Sequence, residues 1–234
     1  MRGRRCTVLL AILCGCAHQP DVAPPPRSVT MSVEAAEAAR AALLSKEPRS
    51  FKMLHQVVAT YQIQKYLMSG YFLARKDGSF RVSATAALGP KLFDVAKLDG
   101  RWEAHVYLKD FGERFDPTNL GRSVERIYFL PATGPLAAES GSWVSTSTIA
   151  GEDDIDAVEE WREDGTLALR RKRYYRAGKQ VVQVDYDKLE LVQGSWLART
   201  VHLTDSRGFS IELSVIGYEP GVPVPDDLLR VQGP

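Results

Sequence analysis

Thiol chemistry in this sequence is confined to its first sixteen residues. The 234-residue chain has three cysteines, and they are Cys6, Cys14 and Cys16. A thiol can act as a nucleophile, bind a metal or form a disulfide, and no later residue offers one. We therefore expect the folded part of the protein to rely on an ordinary buried core, without disulfides or thiolate sites.

The residues around these cysteines have the pattern of an export signal. A basic start with Arg2, Arg4 and Arg5 precedes an apolar run over residues 7–13. This run is about half of the roughly 20 residues that a membrane-spanning helix needs. The following Leu13-Cys14-Gly15-Cys16 resembles the bacterial lipobox. That resemblance implies removal of residues 1–15 and acylation of Cys16, with an ordinary signal peptide as the alternative.

Residues 16–30 are expected to form a tether between the acylated cysteine and the folded domain. The segment contains four prolines and few apolar residues, so it should stay extended. The residue after Cys16 is Ala17 and not Asp. Under the sorting rule of the best-known lipoprotein pathway, this implies the outer membrane, with the domain facing the periplasm.

The other residue types that catalyse reactions form no recognisable arrangement. The histidines lie far apart, outside zinc-binding spacings, and are His18, His55, His105 and His202. The sequence has no Gly-x-Ser-x-Gly elbow, phosphate-binding glycine loop or Ser-x-x-Lys pair. We therefore expect a protein that is not an enzyme and that uses no cofactor and no metal. The last three histidines are interpreted as strand residues.

Two runs of opposite charge predict a hairpin. Residues 152–164 are rich in carboxylates and residues 170–179 in cations, and Asp164-Gly165 between them is a strong turn signal. With this pair at the turn centre, Glu159 lies opposite Arg170, Asp156 opposite Arg173, and Asp153 opposite Arg176. The charges should then cancel across a ladder that faces solvent.

Two functional alternatives exist for these charge runs. Asp153, Asp154 and Asp156 could bind calcium, but their spacing does not fit the helix-loop-helix pattern. The cations of residues 170–176 could bind nucleic acid. Removing residues 1–15 leaves 219 residues with 27 Lys and Arg against 29 Asp and Glu. We expect this nearly neutral chain to have no nucleic-acid partner and to form one domain over residues 31–234.

The elements that must position any site are mainly strands. Helix formers fill residues 33–44, with Ser32 as a candidate N-cap and Pro48 as a stop. From about residue 54, apolar and polar residues alternate, most clearly over residues 80–86, 102–108 and 209–215. Turn signals fall at Lys76-Asp77-Gly78, Leu88-Gly89-Pro90, Asp99-Gly100, Asp164-Gly165, Ala177-Gly178 and Arg207-Gly208. They predict nine to eleven antiparallel strands in a meander that curls.

One helix is predicted to interrupt this meander at residues 116–129. Asp116 is its expected N-cap and Pro117 its first residue. Its apolar residues share one face and are Leu120, Val124, Ile127 and Tyr128. This face should cover the concave side of the sheet, either as a plain part of the core or as the lid of a cavity.

The assembled elements carry a family resemblance. The residues involved are Gly70-Tyr71-Phe72-Leu73, residues 80–95 with the stretch Leu88-Gly89-Pro90-Lys91-Leu92-Phe93, and Phe115-Asp116-Pro117. The chain resembles the LolA/LolB-like lipoprotein carrier and receptor fold, and more narrowly a family of bacterial outer-membrane lipoproteins of uncharacterised function with that fold. The resemblance implies a mainly β (α+β) domain, a curled antiparallel half-barrel with an N-terminal helix and an inserted lid helix.

The resemblance also implies an apolar cavity that receives acyl chains. The expected ligand-binding residues are those of the lid helix, Leu120, Val124, Ile127 and Tyr128, and those of the sheet wall, Phe80, Val82, Trp102 and Val106. The expected partners are the membrane, through the lipid on Cys16, and an acyl chain or lipoprotein. The alternative is a non-catalytic scaffold that binds another envelope protein. An open apolar cavity favours the first function, and a solid core with an exposed apolar patch favours the second.

Overall fold

Twelve antiparallel strands form one open, curled sheet in the computed structural model, which describes residues 28–61, 63–87, 89–109, 116–149 and 155–231. The strands are β1 Ser50–Tyr61, β2 Gln64–Arg75, β3 Phe80–Ala86, β4 Lys91–Leu98, β5 Arg101–Val106, β6 Leu136–Glu139, β7 Ser142–Thr148, β8 Ala157–Glu163, β9 Leu169–Arg176, β10 Lys179–Val192, β11 Ser195–Asp205 and β12 Phe209–Pro220. The predicted mainly β half-barrel is confirmed. It has one strand more than the predicted maximum, because the four-residue β6 is too short to show alternation.

The strand order explains why a helix interrupts the meander. Along the sheet the order is β5-β4-β3-β2-β1-β12-β11-β10-β9-β8-β7-β6. The chain therefore starts at the centre with β1, reaches one edge with β5, and resumes at the opposite edge with β6. The segment between these edges must cross the sheet, and the inserted helix lies in it.

Three helices accompany the sheet within the described ranges: α1 Val33–Lys46, α2 Pro117–Tyr128 and α3 Asp226–Leu229. Ser32 caps α1 by accepting the amide N–H of Ala35, and Asp116 caps α2 by accepting that of Thr118. Both predicted helices and both N-caps are confirmed. No helix among the described residues is long and apolar enough to cross a bilayer.

The concave face of the sheet carries the main apolar core beneath α2, and α1 covers a smaller cluster beside it. The smaller cluster contains Ala36, Leu136, Trp143 and Leu167. On the outer face, α3 buries Leu229 and Val224 against Leu73. The C-terminal segment therefore packs back on the sheet.

The predicted register of the charged hairpin is wrong. Glu159 lies opposite Arg173 and Glu160 opposite Lys172, so the pairing is shifted by three residues. The loop is longer than two residues because Leu167, with a φ of 51°, turns its side chain into the cluster under α1, where it is fully buried. The expectation of a ladder wholly in solvent is wrong as well, because Glu160 and Lys172 are buried.

Several expectations fall on residues outside the described part of the chain. These are the signal segment over residues 1–15, the acylation site Cys16, most of the tether and the pairing of Asp153.

Candidate functional site

Two central strands form a continuous floor on the concave face. Alternate residues of β1 share this face, and they run from His55 through Val57 and Ala59 to Tyr61 at the strand end. On β12, Leu213 lies opposite Val57, Ile211 opposite Ala59, and Phe209 opposite Tyr61. The floor therefore leads from the middle of the sheet to the rim formed by these strand ends.

A small apolar cavity lies between this floor and α2. Its volume is about 40 Å³. The lining residues are His55, Val57, Ala59, Met68, Gly70, Phe72, Val82, Ala84, Phe93, Leu120, Val124, Ile127, Tyr128, Ile211 and Leu213. The void can hold little more than a water molecule, since small-molecule sites commonly measure roughly 300–1,000 Å³.

A larger cavity of about 440 Å³ opens at the rim. It combines apolar walls, such as Tyr61, Leu203 and Phe209, with polar ones, such as Asn119 and Arg126. Leu120 lines both cavities. This side chain on α2 is therefore a wall between the rim cavity and the inner cavity.

The predicted lid residues meet at one place. Leu120, Val124, Ile127 and Tyr128 all line the inner cavity, together with Val82 from the sheet wall. The other three wall residues lie beside the cavity. Phe80 stacks on Phe129 at 5.3 Å between ring centroids, Trp102 packs edge-on against Phe80, and Val106 lies opposite Phe93 at the sheet edge.

One turn of α2 lies unusually close to the sheet. A Cβ atom placed on Gly121 would stand 2.6 Å from Cζ3 of Trp102 and 2.7 Å from Cγ1 of Val95. One turn further on, Glu125 of α2 makes an ion pair with Lys97 of β4 at 2.5 Å. The absence of a side chain at Gly121 is therefore what allows α2 to approach β4 and β5.

The C-terminal end of α2 is held by hydrogen bonds from the other half of the sheet. The Tyr174 hydroxyl donates to the carbonyl of Arg126 at 2.6 Å, and the Tyr186 hydroxyl donates to that of Ile127 at 2.6 Å. Lys172 Nζ donates to the carbonyl of Leu130 at 3.2 Å. The two tyrosine hydroxyls satisfy carbonyls that the end of a helix leaves unpaired, and Lys172 binds a carbonyl two residues beyond the helix.

A buried charge cluster supports this end of the helix. Glu160 is 1% exposed and accepts from Arg162 at 2.7 Å, with Lys172 Nζ at 3.5 Å from its other oxygen. Burial alone would raise the pKa of Glu160, but the charges of Lys172 and Arg162 hold the pKa below its ordinary value. Glu160 is therefore ionised and gives Lys172 a charged partner inside the fold, while burial lowers the pKa of Lys172.

The inner cavity holds two polar groups that are weakly paired. His55, which is 2% exposed, places Nε2 3.4 Å from the Tyr128 hydroxyl and 3.3 Å from Sδ of Met53. Burial lowers the pKa of His55 to about 4, so the ring is neutral at pH 7. Burial also raises the pKa of the Tyr128 hydroxyl. The contact with the hydroxyl is long for a hydrogen bond between nitrogen and oxygen.

Sequence reasoning missed His55 and the charge cluster as parts of a site. A single histidine in a strand carries no sign of which face it occupies until the register is known. Within the described residues, no three side chains of His, Cys, Asp or Glu gather as a metal site would require. The chemistry that the arrangement offers is apolar burial with one pair of hydrogen-bonding groups.

The half-barrel, the helix across its concave face and the apolar cavity beneath that helix define a LolA/LolB-like fold, as the sequence predicted. A DUF1329 family protein from Desulfovibrio piger superposes with a TM-score of 0.59 at 15% identity, over 86% of this chain and 98% of that one. A LolA superfamily protein from Nitrosomonas europaea gives 0.57 at 11% identity, over 84% and 97%. The sequence matches no protein-family model and no curated protein.

Proposed function

We propose that this protein binds the acyl chain of a lipid or lipoprotein between α2 and the concave face of the sheet. The observation that carries the proposal is the pair of cavities along one floor, which share the side chain of Leu120 of α2 in their linings. Burying an acyl chain along such a floor releases about 0.8 kcal/mol for each CH₂ group. No catalytic group is needed for this function.

Binding requires α2 to move, because the inner cavity measures about 40 Å³ and is too small for an acyl chain. The hydrogen bonds from Tyr174 and Tyr186 hold the C-terminal end of α2. The N-terminal half of the helix, residues 117–122, contacts the sheet through apolar side chains such as Leu120 and through Gly121. We infer that this half lifts and that the acyl chain replaces its apolar contacts.

We further propose that the protein acts at the periplasmic face of the outer membrane, anchored through a lipid on Cys16. The lipobox-like Leu13-Cys14-Gly15-Cys16, the proline-rich tether and Ala17 support this location. Lipid or lipoprotein handling in the envelope follows from the location and the cavity together.

Native mass spectrometry of the protein purified from a bacterial host tests acyl binding. The full chain carrying Cys16→Ser is used, so that any lipid found on it is bound non-covalently. We expect a co-purified acyl species on this chain and its loss in Val124→Glu, which places a carboxylate in the inner cavity.

Thr118→Glu is the matched control for this experiment. It adds the same carboxylate to the same helix at a position that lines neither cavity. Lipid retained in Thr118→Glu and lost in Val124→Glu supports the proposal. A lipid-free mass in all three proteins, before and after incubation with palmitic acid, would overturn it.

A second candidate function, binding of an envelope protein as a scaffold, is favoured by one observation. The outer face carries an exposed apolar patch on β1, β2 and β12, made of Leu54, Leu67, Tyr71 and Ile216. A photo-crosslinking residue at Leu67 should trap a partner in cells if this function is correct, whereas one at exposed Arg170 on the distant strand β9 should not. Equal labelling from both positions would dismiss the patch as a binding surface.

A further inference from the structure

We infer that the ligand is an acyl lipid with an anionic headgroup, which binds with its acyl chain under α2 and its headgroup in the rim cavity. The headgroup chemistry is a negatively charged phosphate or carboxylate. This inference rests on the proposed function and names the ligand class and the direction of binding.

The two cavities differ in the charges that line them. Of the residues that the structure describes, the charged ones at the rim cavity are Arg126, Arg176, Arg207, Asp116 and Asp205. None that is charged at pH 7 lines the inner cavity, since burial keeps His55 neutral. Burying a charge without a partner is costly, so the charged end of a lipid suits the rim cavity and the acyl chain suits the inner one.

The three arginines reach the rim cavity from separate elements. Arg126 lies on α2, Arg176 ends β9, and Arg207 lies in the turn between β11 and β12. A guanidinium group is always charged and presents five N–H donors in a planar fork that matches carboxylate and phosphate oxygens. Arg126 and Arg176 also contact other groups of the protein. Their number of donors still allows each of them to bind a ligand oxygen in addition.

Both carboxylates at the rim are held by main-chain N–H groups. One oxygen of Asp205 accepts the amide N–H groups of Arg207 and Phe209 at 2.8 and 2.9 Å, and the other accepts from the Arg207 guanidinium at 2.9 Å. Asp116 accepts the amide N–H of Thr118 at 2.8 Å as the cap of α2. Three cations therefore face two carboxylates that the main chain already stabilises, and the cavity favours an added anion.

The arginines keep their places when the N-terminal half of α2 lifts. The Tyr174 hydroxyl donates to the carbonyl of Arg126 at 2.6 Å, so Arg126 belongs to the part of the helix that is held. Arg176 and Arg207 belong to the sheet. A headgroup can therefore stay bound at the rim while Leu120 moves aside to admit the acyl chain.

The length of the floor fits one acyl chain in this direction. From Tyr61 at the rim to His55, the floor runs along six residue steps of β1, which at about 3.3 Å each is roughly 20 Å. The hydrocarbon core of a bilayer is about 30 Å thick, so an acyl chain of one leaflet spans roughly 15 Å. A chain that starts at the rim therefore ends within the inner cavity.

Paired affinity measurements test the preference for an anion. The full chain carrying Cys16→Ser is titrated, below micellar concentrations, with palmitoyl lysophosphatidylglycerol and with palmitoyl lysophosphatidylcholine, whose choline cancels the phosphate charge. We expect the anionic lipid to bind about tenfold more tightly, since hydrogen bonds to charged groups allow at least that factor. Palmitate at pH 8 separates the two headgroups. If palmitate alone exceeds the zwitterionic lipid, the headgroup is a carboxylate, and if the anionic phospholipid alone exceeds it, the headgroup is a phosphate.

Removal of single guanidinium groups tests the residues. Arg126→Gln and Arg207→Gln should each reduce the preference to about threefold, while the affinity for the zwitterionic lipid changes by less than about twofold. The Arg207 side chain is 75% exposed, so its replacement leaves the core intact.

Arg199→Gln is the matched control for these variants. It removes the same charge from an ion pair with Glu190 that lines neither cavity, and it should leave the preference unchanged. An equal loss of preference in Arg199→Gln and Arg207→Gln would show that the net charge of the protein selects the lipid, and the inference would be wrong.

Orientation is tested by NMR with palmitate labelled with ¹³C at the carboxyl carbon or at the terminal methyl. We expect the protein to shield the methyl group from a soluble relaxation agent and to leave the carboxyl carbon more accessible. The reverse pattern, or equal affinity for the anionic and zwitterionic lipids, overturns the inference while acyl binding stands. Failure of all three ligands to bind overturns the proposed function as well.

Discussion

The α2 helix lies across two halves of one concave face, and the two halves hold it by different chemistry. Towards β9 and β10, its last carbonyls accept hydrogen bonds from Tyr174 and Tyr186, next to the buried charges of Glu160 and Lys172. Towards β1 to β4 and β12, its contacts are mainly apolar and leave a cavity.

The difference between the two halves bears on how the helix could open. Hydrogen bonds to main-chain carbonyls are directional, and breaking them inside the fold leaves unpaired groups. Apolar contacts lack direction, so a ligand chain can replace them at little cost. The half of the concave face formed by β9 and β10, the polar half, is therefore suited to holding α2 in place. The half formed by β1 to β4 and β12, the apolar half, is suited to releasing α2 so that a ligand chain can take its place.

The largest expected effect is loss of the charge cluster in the polar half. Glu160→Ala leaves Lys172 and Arg162 buried without their carboxylate. Breaking one partner of a buried ion pair typically costs about 3–5 kcal/mol. We expect a fall of this size in the free energy of unfolding, measured by urea denaturation with fluorescence.

Glu163→Ala is the control for this substitution. Glu163 lies on the outer face of the same strand, where its ion pair with Arg170 is exposed. Its removal should cost less than about 1 kcal/mol. Equal effects at the two positions would mean that the inner cluster is as well solvated as the outer pair.

The buried His55 in the apolar half should make the free energy of unfolding depend on pH. His55 has a pKa of about 4 in the fold against 6.5 for an ordinary histidine. Between these values the unfolded chain binds a proton that the folded chain does not. The free energy of unfolding should therefore be highest above pH 6.5 and fall by up to about 3 kcal/mol as the pH drops towards 4.

Urea unfolding at several pH values between 7 and 4 measures this loss. In His55→Leu the fall across the window should be smaller by about the same 3 kcal/mol, while the contributions of carboxylates remain. Identical pH profiles for the two proteins would show that His55 is not neutral and buried in solution.

The sequence could predict those features of the two halves that short-range patterns determine. The four apolar residues of α2 share a face because of helical periodicity, and Asp116-Pro117 marks its start whatever the rest of the chain does. Alternation over residues 209–215 likewise identified a strand with one apolar face, and that strand is half of the floor.

The polar half could not be predicted because long-range packing decides it. Charged residues occupy both faces of β8 and β9, so alternation is hidden, and Glu160 looks the same as Glu159 in sequence. The register depends on Leu167, whose burial under α1 lengthens the loop after Asp164. The Gln193-Gly194 turn, in which both residues have positive φ, was also missed, since glutamine is an uncommon residue for such a turn.

A smaller effect is expected when one hydrogen bond in the polar half is removed. Tyr186→Phe leaves the carbonyl of Ile127 without its donor inside the fold. Such a loss costs about 1–3 kcal/mol. Hydrogen exchange should show faster opening of the last turn of α2, and exchange in β1 should change little. Uniform acceleration over both elements would mean that the helix and sheet open together.

The smallest expected effect concerns the close contact between α2 and the sheet edge. Gly121→Ala favours the helical state by up to about 1 kcal/mol, but its Cβ would stand 2.6 Å from Trp102. Overpacking of this kind typically costs about 1–3 kcal/mol, so the net expectation is destabilisation by about 1 kcal/mol and faster acyl binding. In a Trp102→Ala background the clash with the indole is gone while the 2.7 Å approach to Val95 remains, so Gly121→Ala should be less destabilising than in the unsubstituted protein. A double-mutant cycle with no coupling between the two positions would show that α2 already stands away from Trp102 in solution. The weakly held part of the helix would then include its contact with the indole.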